Sequence, residues 1–200
     1  MREQALLSIQ FPSTIDREEV LNKLVTEFVR QIDENKYHDI VCMEFDNRGK
    51  EVSIGEKRND LYKKAWGKYV VQWDSDDGIH SHGLRLIIEA LKNNPDVDCC
   101  TYEEYINIDG VEQRSNHDLK YGDWNNNEDG YDYVRTPFMK SVIKTEIAKS
   151  VPVPFIRFAE DHQWAQSLKP HLKTQVHISE QIYRYIHISS DHNERYGIKD

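Results

Sequence analysis

The sequence predicts one α/β domain on a mostly parallel sheet. Strand-like and helical segments alternate through the first half, in the order strand, helix, strand, helix, strand, helix, strand. The length, 200 residues, suits one substantial core. A content of 38% apolar and 10% aromatic residues is that of a globular chain.

Residues 5–11 form a short apolar strand that Pro12-Ser13-Thr14 breaks. Asp16 followed by Glu19 suggests a capping box, and Val20, Leu21, Leu24, Val25, Phe28, Val29 and Ile32 then recur at helical spacing. Residues 38–45 are apolar again and end at Asp46-Asn47-Arg48-Gly49. Residues 56–66 are rich in helix formers, with Gly67 placed as a stop. Residues 68–73 are a third strand, and Leu84, Ile87, Ile88 and Leu91 mark the next helix. Residues 97–108 are strand-like and precede Asp109-Gly110, a strong turn signal. Residues 115–133, with Asn125-Asn126-Asn127, suggest a polar excursion. Thr136-Pro137 suggests an N-cap and first helical residue, with a helix to Lys149. Val151 to Pro154 is a rigid connector, 160–168 a short helix and 174–188 strand-rich. No internal repeat or domain boundary is visible.

The net charge of −9 disfavours a generic binder of nucleic-acid phosphates, which needs a lysine- and arginine-rich face. No apolar run reaches the ~18–20 residues of a membrane span, and the first residues turn polar at Ser8 and Gln10, unlike a secretory leader. Cys42, Cys99 and Cys100 offer no CxxC pair and suit a reducing compartment. A protein working in the cytoplasm is the expectation.

The main chemical signal is Asp74-Ser75-Asp76-Asp77, directly after the apolar strand that ends at Trp73. In open α/β sheets ligands bind beyond the carboxyl ends of strands. Three carboxylates crowded there repel one another unless a positive group joins them. A hard divalent cation does so, taking one or two carboxylates plus phosphate oxygens, and it neutralises charge on a leaving diphosphate. A solvated acidic turn is the plainer alternative.

These residues stand in a wider pattern. Gly55-Glu56-Lys57-Arg58-Asn59, then Ala65-Trp66-Gly67-Lys68-Tyr69-Val70, then Trp73 to Asp77, resembles the inverting family 2 glycosyltransferases of GT-A fold. Residues 157–164, with Glu160-Asp161, are similar to that family's Glu-Asp segment, and Tyr183 to His187 to its late Tyr-x-Tyr-x-x-His strand. The chain departs from the family pattern at Phe11-Pro12-Ser13-Thr14 and at Phe45-Asp46-Asn47-Arg48-Gly49.

The resemblance implies a single GT-A domain, a mixed, mostly parallel sheet flanked by helices. About 1–110 would bind the nucleotide sugar, a UDP-sugar for preference, and about 111–190 would hold acceptor and base. It implies that Asp76 and Asp77 hold the donor ribose and a Mn²⁺ or Mg²⁺ on the diphosphate, with Asp74 behind them at the uridine end. Pro12 and Ser13 would line the base pocket, Asp46 would accept from the base, and Arg58 would meet the donor's base or phosphate side. Asp161 would be the general base on the acceptor hydroxyl, and His187 a further metal or diphosphate contact.

His80 and His82 flank Ser81 but lack further zinc ligands at standard spacing. Trp124, in the polar excursion, is the preferred acceptor-side aromatic, whereas Trp73 and Trp164 suit the core equally well. The acceptor is expected to be a glycan or lipid-linked saccharide, with a hydroxymethylated DNA base as the alternative. A nucleotidyltransferase competes but usually has a glycine-rich basic loop after its first strand. A non-catalytic nucleotide-binding module would be indifferent to loss of Asp161.

Overall fold

The computed structural model describes residues 3–156 and 159–188. In chain order the elements are β1 (Leu7–Pro12), α1 (Glu18–Asn35), β2 (Val41–Asp46), α2 (Ile54–Lys64), β3 (Tyr69–Gln72), β4 (Gly78–Ile79), α3 (Gly83–Asn93) and β5 (Cys99–Ile108). They continue with β6 (Val111–His117), β7 (Asn125–Glu128), β8 (Tyr131–Arg135), β9 (Val142–Lys144), α4 (Thr145–Ser150), α5 (Glu160–Leu168) and β10 (Gln175–His187). One sheet runs β2-β1-β3-β9-β5-β6-β8-β7, with β10 beside β5 and β4 beside β10. β1 is parallel to β2 and β3, and β5 to β10, while β9 is antiparallel to both β3 and β5. Five strands, β2, β1, β3, β5 and β10, therefore share one direction and open their carboxyl ends on one edge.

Strand alternation builds the two faces. Leu7, Ile9 and Phe11 of β1 join Leu21, Leu24 and Phe28 of α1 and Leu84, Ile87 and Ile88 of α3 in one core. Tyr62 and Ala65, with Val70, Trp164, Ala165 and Leu168, form the core of the opposite face. The intervening β1 residues are polar yet buried, and each is satisfied. Ser8 Oγ accepts from the backbone N–H of Trp66 and Gly67 at 3.0 and 2.8 Å, and Gln10 Nε2 donates to Leu61 O. Trp73 and Trp164 are fully buried, so both belong to the core. A line of aromatic contacts, Phe11–Phe28 (5.5 Å), Phe28–Trp73 (5.2 Å) and Trp73–Tyr183 (4.5 Å), ties α1 to β10 through β3.

The structure corrects four sequence expectations. Asp16 lies in a short 3-10 turn, and Arg17 occupies the N-cap of α1 without a side-chain cap, so no Asp16–Glu19 box forms. Residues 115–133 are no open excursion. They contain β7 and the start of β8, joined by a two-residue Asp129-Gly130 turn of the kind that also joins β5 to β6 at Asp109-Gly110. The expected 136–149 helix is short: residues 142–144 pair in the sheet and only Thr145–Ser150 is helical. Its β-branched Val142 and Ile143 fill a slot between β3 and β5, where burial overrides helical propensity.

Gly67 is the fourth. α2 ends at Lys64, with Ala65 as its C-cap, so Gly67 is not the helix stop. It is a close approach: a Cβ there would lie 2.4 Å from Ser8 N, 2.6 Å from Leu7 C and 2.7 Å from Tyr69 O, all backbone atoms. Gly67→Ala is expected to cost about 3 kcal/mol by overpacking, read as a lowered midpoint in urea denaturation. An unchanged midpoint would overturn this account of the glycine.

Candidate active site

The carboxyl edge of the sheet gathers the predicted donor residues. β1 ends at Pro12 and β2 at Asp46, and the Ser13 N–H donates to Asp46 O at 2.7 Å. Lys57, 2% exposed, reaches from α2 to donate to Ser13 O at 2.6 Å and to Arg48 O, so one ammonium ties both loops. Burial pushes the Lys57 pKa down. Asp46 is itself engaged: its carboxylate accepts from Arg48 Nε at 2.9 Å and Nη2 at 2.6 Å. Burial alone would raise the Asp46 carboxyl, but these bonds hold it below the usual range. Pro12, Ser13 and Asp46 are thus neighbours, and Lys57 and Arg48 organise them.

The acidic turn follows β3 and closes with Asp77 N–H on Asp74 O at 3.2 Å. Its carboxylates point to three different cations. Asp74 accepts from Arg58 Nη2 at 2.9 Å, Asp76 pairs with Arg17 at 3.2 Å, and Asp77 pairs with Lys140 Nζ at 3.3 Å. The Tyr183 hydroxyl also donates to Asp77 at 2.5 Å. The crowding read from the sequence is therefore relieved in large part by the protein's own basic side chains. Burial opposes charge on Asp74, but Arg58 and then Lys140 win and hold its carboxyl low. Burial instead dominates at Asp77, pushing it up to about 7 against the pull of Lys140, with Asp74 and Asp76 adding to the rise.

Arg58 and Asn59 explain why α2 matters. Arg58 is buried and links Asp74, Gln72 Oε1 at 3.2 Å and Glu160 at 3.5 Å. Asn59 exchanges two 2.8 Å hydrogen bonds with the backbone of Val153. The pair ties the acidic turn on one side and the connector 151–154 on the other.

α5 begins after Ala159, a non-glycine residue in the left-handed region at φ 61°. Such backbone is costly and occurs where the surroundings impose it. Arg157 and Phe158, part of the family-like segment, lie outside the described residues. Glu160 turns to Arg58, while Asp161 lines a cleft of about 330 Å³ together with Glu104, Trp124, Arg135, Lys140 and Tyr185. The Asp161 carboxylate accepts from the His162 N–H at 2.8 Å. Trp124, the expected acceptor-side aromatic, is in this wall.

Lys140 joins the cleft to the acidic turn. Its Nζ lies 3.3 Å from Asp77 and 3.4 Å from Glu104, over the rings of Tyr183 (4.3 Å) and Tyr185 (4.6 Å). Burial opposes its charge, but Asp77 and Glu104 outweigh that and keep it protonated. Glu104 also meets His117 Nε2 at 3.2 Å. None of Lys140, Glu104, Arg17 or Lys57 stood out in the sequence as a site residue: the first three lie in no motif, and Lys57 stands inside the 55–59 element without a role of its own. His187 sits beside Tyr185, with its Nδ1 3.4 Å from the Tyr185 hydroxyl. About 13 Å of strand separates it from Tyr183 at ~3.3 Å per residue, so the residue touching Asp77 is Tyr183.

Among the described residues no group of three His, Cys, Asp or Glu side chains forms a metal cage. Asp76 and Asp77 nevertheless fit a hard cation that completes its shell with diphosphate oxygens. They are carboxylates of adjacent residues at the carboxyl edge of the sheet, each already within reach of one basic side chain, Arg17 or Lys140. His80 and His82 bond each other through His80 Nδ1 and the His82 N–H, at 3.2 Å.

Among solved structures, residues 1–349 of S. aureus TarS with UDP-GlcNAc match with TM-score 0.57 at 13% identity, over 90% of this chain and 58% of that one. The fold is GT-A. The Pyrobaculum calidifontis mannosyltransferase PcManGT, in complex with GDP-Man and Mn²⁺, matches at TM-score 0.51 and 11% identity, over 91% of this chain and 57% of that one. A Bacillus anthracis protein assigned as a glucose-1-phosphate thymidylyltransferase, with sucrose, matches at 0.52 and 12%, over 88% and 87%. The chain therefore spans under two thirds of the TarS fragment and of PcManGT. No protein-family model and no curated protein sequence matches it. Within the GT-A frame, the acidic turn after β3 and the cleft carrying Asp161 both open from the carboxyl edge of the sheet.

Proposed function

We propose that this chain is an inverting, metal-dependent glycosyltransferase of the family 2 type. It moves a sugar from a nucleotide diphosphate sugar, a UDP-sugar for preference, to a hydroxyl of a glycan or lipid-linked saccharide. The observation that carries the reading is Asp161, a carboxylate in a cleft whose lining includes Lys140, the direct partner of Asp77. A base for the acceptor thus lies one residue away from the acidic turn suited to the donor diphosphate. The GT-A fold supports it, as do the UDP-GlcNAc held by TarS and the GDP-Man and Mn²⁺ held by PcManGT.

In this reading about 1–110 binds the donor and about 111–190 binds the acceptor. Pro12, Ser13 and Asp46 flank the base, Arg58 braces Asp74 at the uridine end, and Asp76 meets the ribose. Asp76 and Asp77 hold the cation, with Tyr183 rather than His187 as the β10 residue in contact with Asp77. A divalent metal, when bound, neutralises charge on the departing diphosphate. Asp161 takes the proton of the acceptor hydroxyl as its oxygen bonds to the anomeric carbon. The bond from that carbon to the diphosphate oxygen breaks on the opposite face, and the nucleoside diphosphate leaves with the electron pair. Among the described residues no helix is long and apolar enough to cross a membrane. A cytoplasmic site of action fits this reading.

The test is a panel of nucleotide sugars with Mn²⁺ or Mg²⁺, followed by thermal stabilisation and donor hydrolysis. Metal-dependent stabilisation by at least one donor is expected, and Asp77→Ala should abolish it. No response to any donor would sink the reading. The likeness to the B. anthracis protein favours nucleotidyl transfer as second reading. Release of pyrophosphate from a nucleoside triphosphate and a sugar phosphate would establish that reaction instead.

A further inference from the structure

Arg135 is a charged group of the cleft that no ion pair explains. It ends β8, and its guanidinium carbon lies 5.0 Å from the Trp124 ring centre and 4.9 Å from that of Tyr133. Two aromatic faces hold the planar group. Nη1 donates to the carbonyls of Asn125 (2.9 Å) and Val134 (2.8 Å) and to Asn126 Oδ1 (3.5 Å). Among the described residues Nε and Nη2 have no hydrogen-bond partner, and no carboxylate stands within ion-pair distance. Glu103 is committed to Arg114 (2.7 Å) and the Tyr131 hydroxyl (2.6 Å) and Glu104 to Lys140 and His117, while Asp161 shares the cleft beyond ion-pair distance. Burial pushes the Arg135 pKa down and outweighs the more distant pull of Glu104 and Asp161.

Two residues of the same wall also carry polar atoms that, among the described residues, have no hydrogen-bond partner: Trp124 Nε1 and Ser115 Oγ, both buried. Trp124, Tyr133, Phe138 and Tyr185 give it aromatic surface, which suits the face of a sugar ring.

We infer that the acceptor is a saccharide or polyol carrying its own anionic group, phosphate or carboxylate, which Arg135 binds while the reacting hydroxyl lies at Asp161. The inference rests on the proposed role of this cleft as the acceptor site, and it adds the acceptor's chemical class. A guanidinium offers paired N–H donors to either anion. A cleft of about 330 Å³ is at the small end of ligand sites, matching one or two sugar units rather than a polymer groove. The net charge of −9 argues against a nucleic acid as source of the phosphate.

The test titrates the full chain with glucose, glucose 6-phosphate, glucuronate and a short oligothymidylate, and with UDP and Mn²⁺ in parallel. At least one anionic sugar should bind about tenfold more tightly than glucose, as a charge-assisted contact provides. The two anionic arms tell phosphate from carboxylate. Arg135→Gln should erase the preference while leaving UDP affinity unchanged, and Arg135→Lys should restore part of it. Equal affinity for neutral and anionic sugars, or a preference that survives Arg135→Gln, overturns the inference. So does an oligothymidylate that outcompetes the sugar phosphates. Loss of UDP binding with the Arg135-dependent preference intact would instead count against the donor reading alone.

Discussion

Asp161→Asn is expected to slow sugar transfer by roughly 10³-fold, the scale of a lost general base, without weakening UDP binding. Two features of the structure separate these quantities. The Asp161 oxygen that accepts from the His162 N–H has an amide counterpart in Asn, so the first turn of α5 keeps its contact. Asp161 is also a member of neither the Arg58–Asp74 nor the Lys140–Asp77 pair that organises the acidic turn. UDP release in the presence of acceptor reads the first effect, and equilibrium UDP binding the second. Glu160→Gln is the internal control. It neutralises a carboxylate that faces Arg58, so it should perturb the brace around Asp74 more than the chemistry. Transfer by Asp161→Asn at near wild-type rate would remove this residue from the mechanism.

The parts of this architecture visible in the sequence are those with strong local signals. The period of Leu21, Leu24 and Phe28 marks α1, and the apolar run before Asp74 marks β3, because both bury one predictable face. Residues 115–133 were opaque because β7 is nearly all polar and exposed, so no alternation betrays it. Asp129-Gly130 repeats the Asp109-Gly110 signal and was the one available clue. β9 failed for another reason. Three residues inserted between β3 and β5 carry no period, and Thr136-Pro137 imitates a helix start that the tertiary slot overrides.

The site divides in the same way. Asp74, Asp76, Asp77, Arg58 and Asp161 stand in ordered motifs along the chain. Arg17, Glu104 and Lys140 stand alone, Lys57 stands in a motif only as the neighbour of Arg58, and the importance of all four comes from long-range pairing. A lysine between Met139 and Ser141 looks like any surface lysine until β9 places it between two buried carboxylates. Crowded acids need positive charge, and the nearest here is on Arg58, Arg17 and Lys140, a pairing that no local pattern reveals.

That placement gives the second large effect. Lys140→Met removes the ammonium and keeps an unbranched apolar stem of similar reach. It strands Asp77 and Glu104, whose side chains are 3% and 6% exposed, with one buried cation fewer between them. Breaking a buried pair by removing one partner costs about 3–5 kcal/mol, because the surviving charge stays desolvated. At about 2–4 °C per kcal/mol for a chain of this size, the thermal midpoint should fall by roughly 6–20 °C. The Tyr183 hydroxyl and His117 still contact the two carboxylates, which favours the lower part of that range. A second variant identifies the cause. Glu104→Gln added to Lys140→Met removes one of the stranded charges while keeping the side chain's shape, so it should recover part of the lost midpoint. Non-additivity of that kind is expected only for residues in direct contact. A midpoint unmoved by Lys140→Met would mean that the ammonium does not bridge Asp77 and Glu104, and that the acidic turn needs its counter-charge from elsewhere.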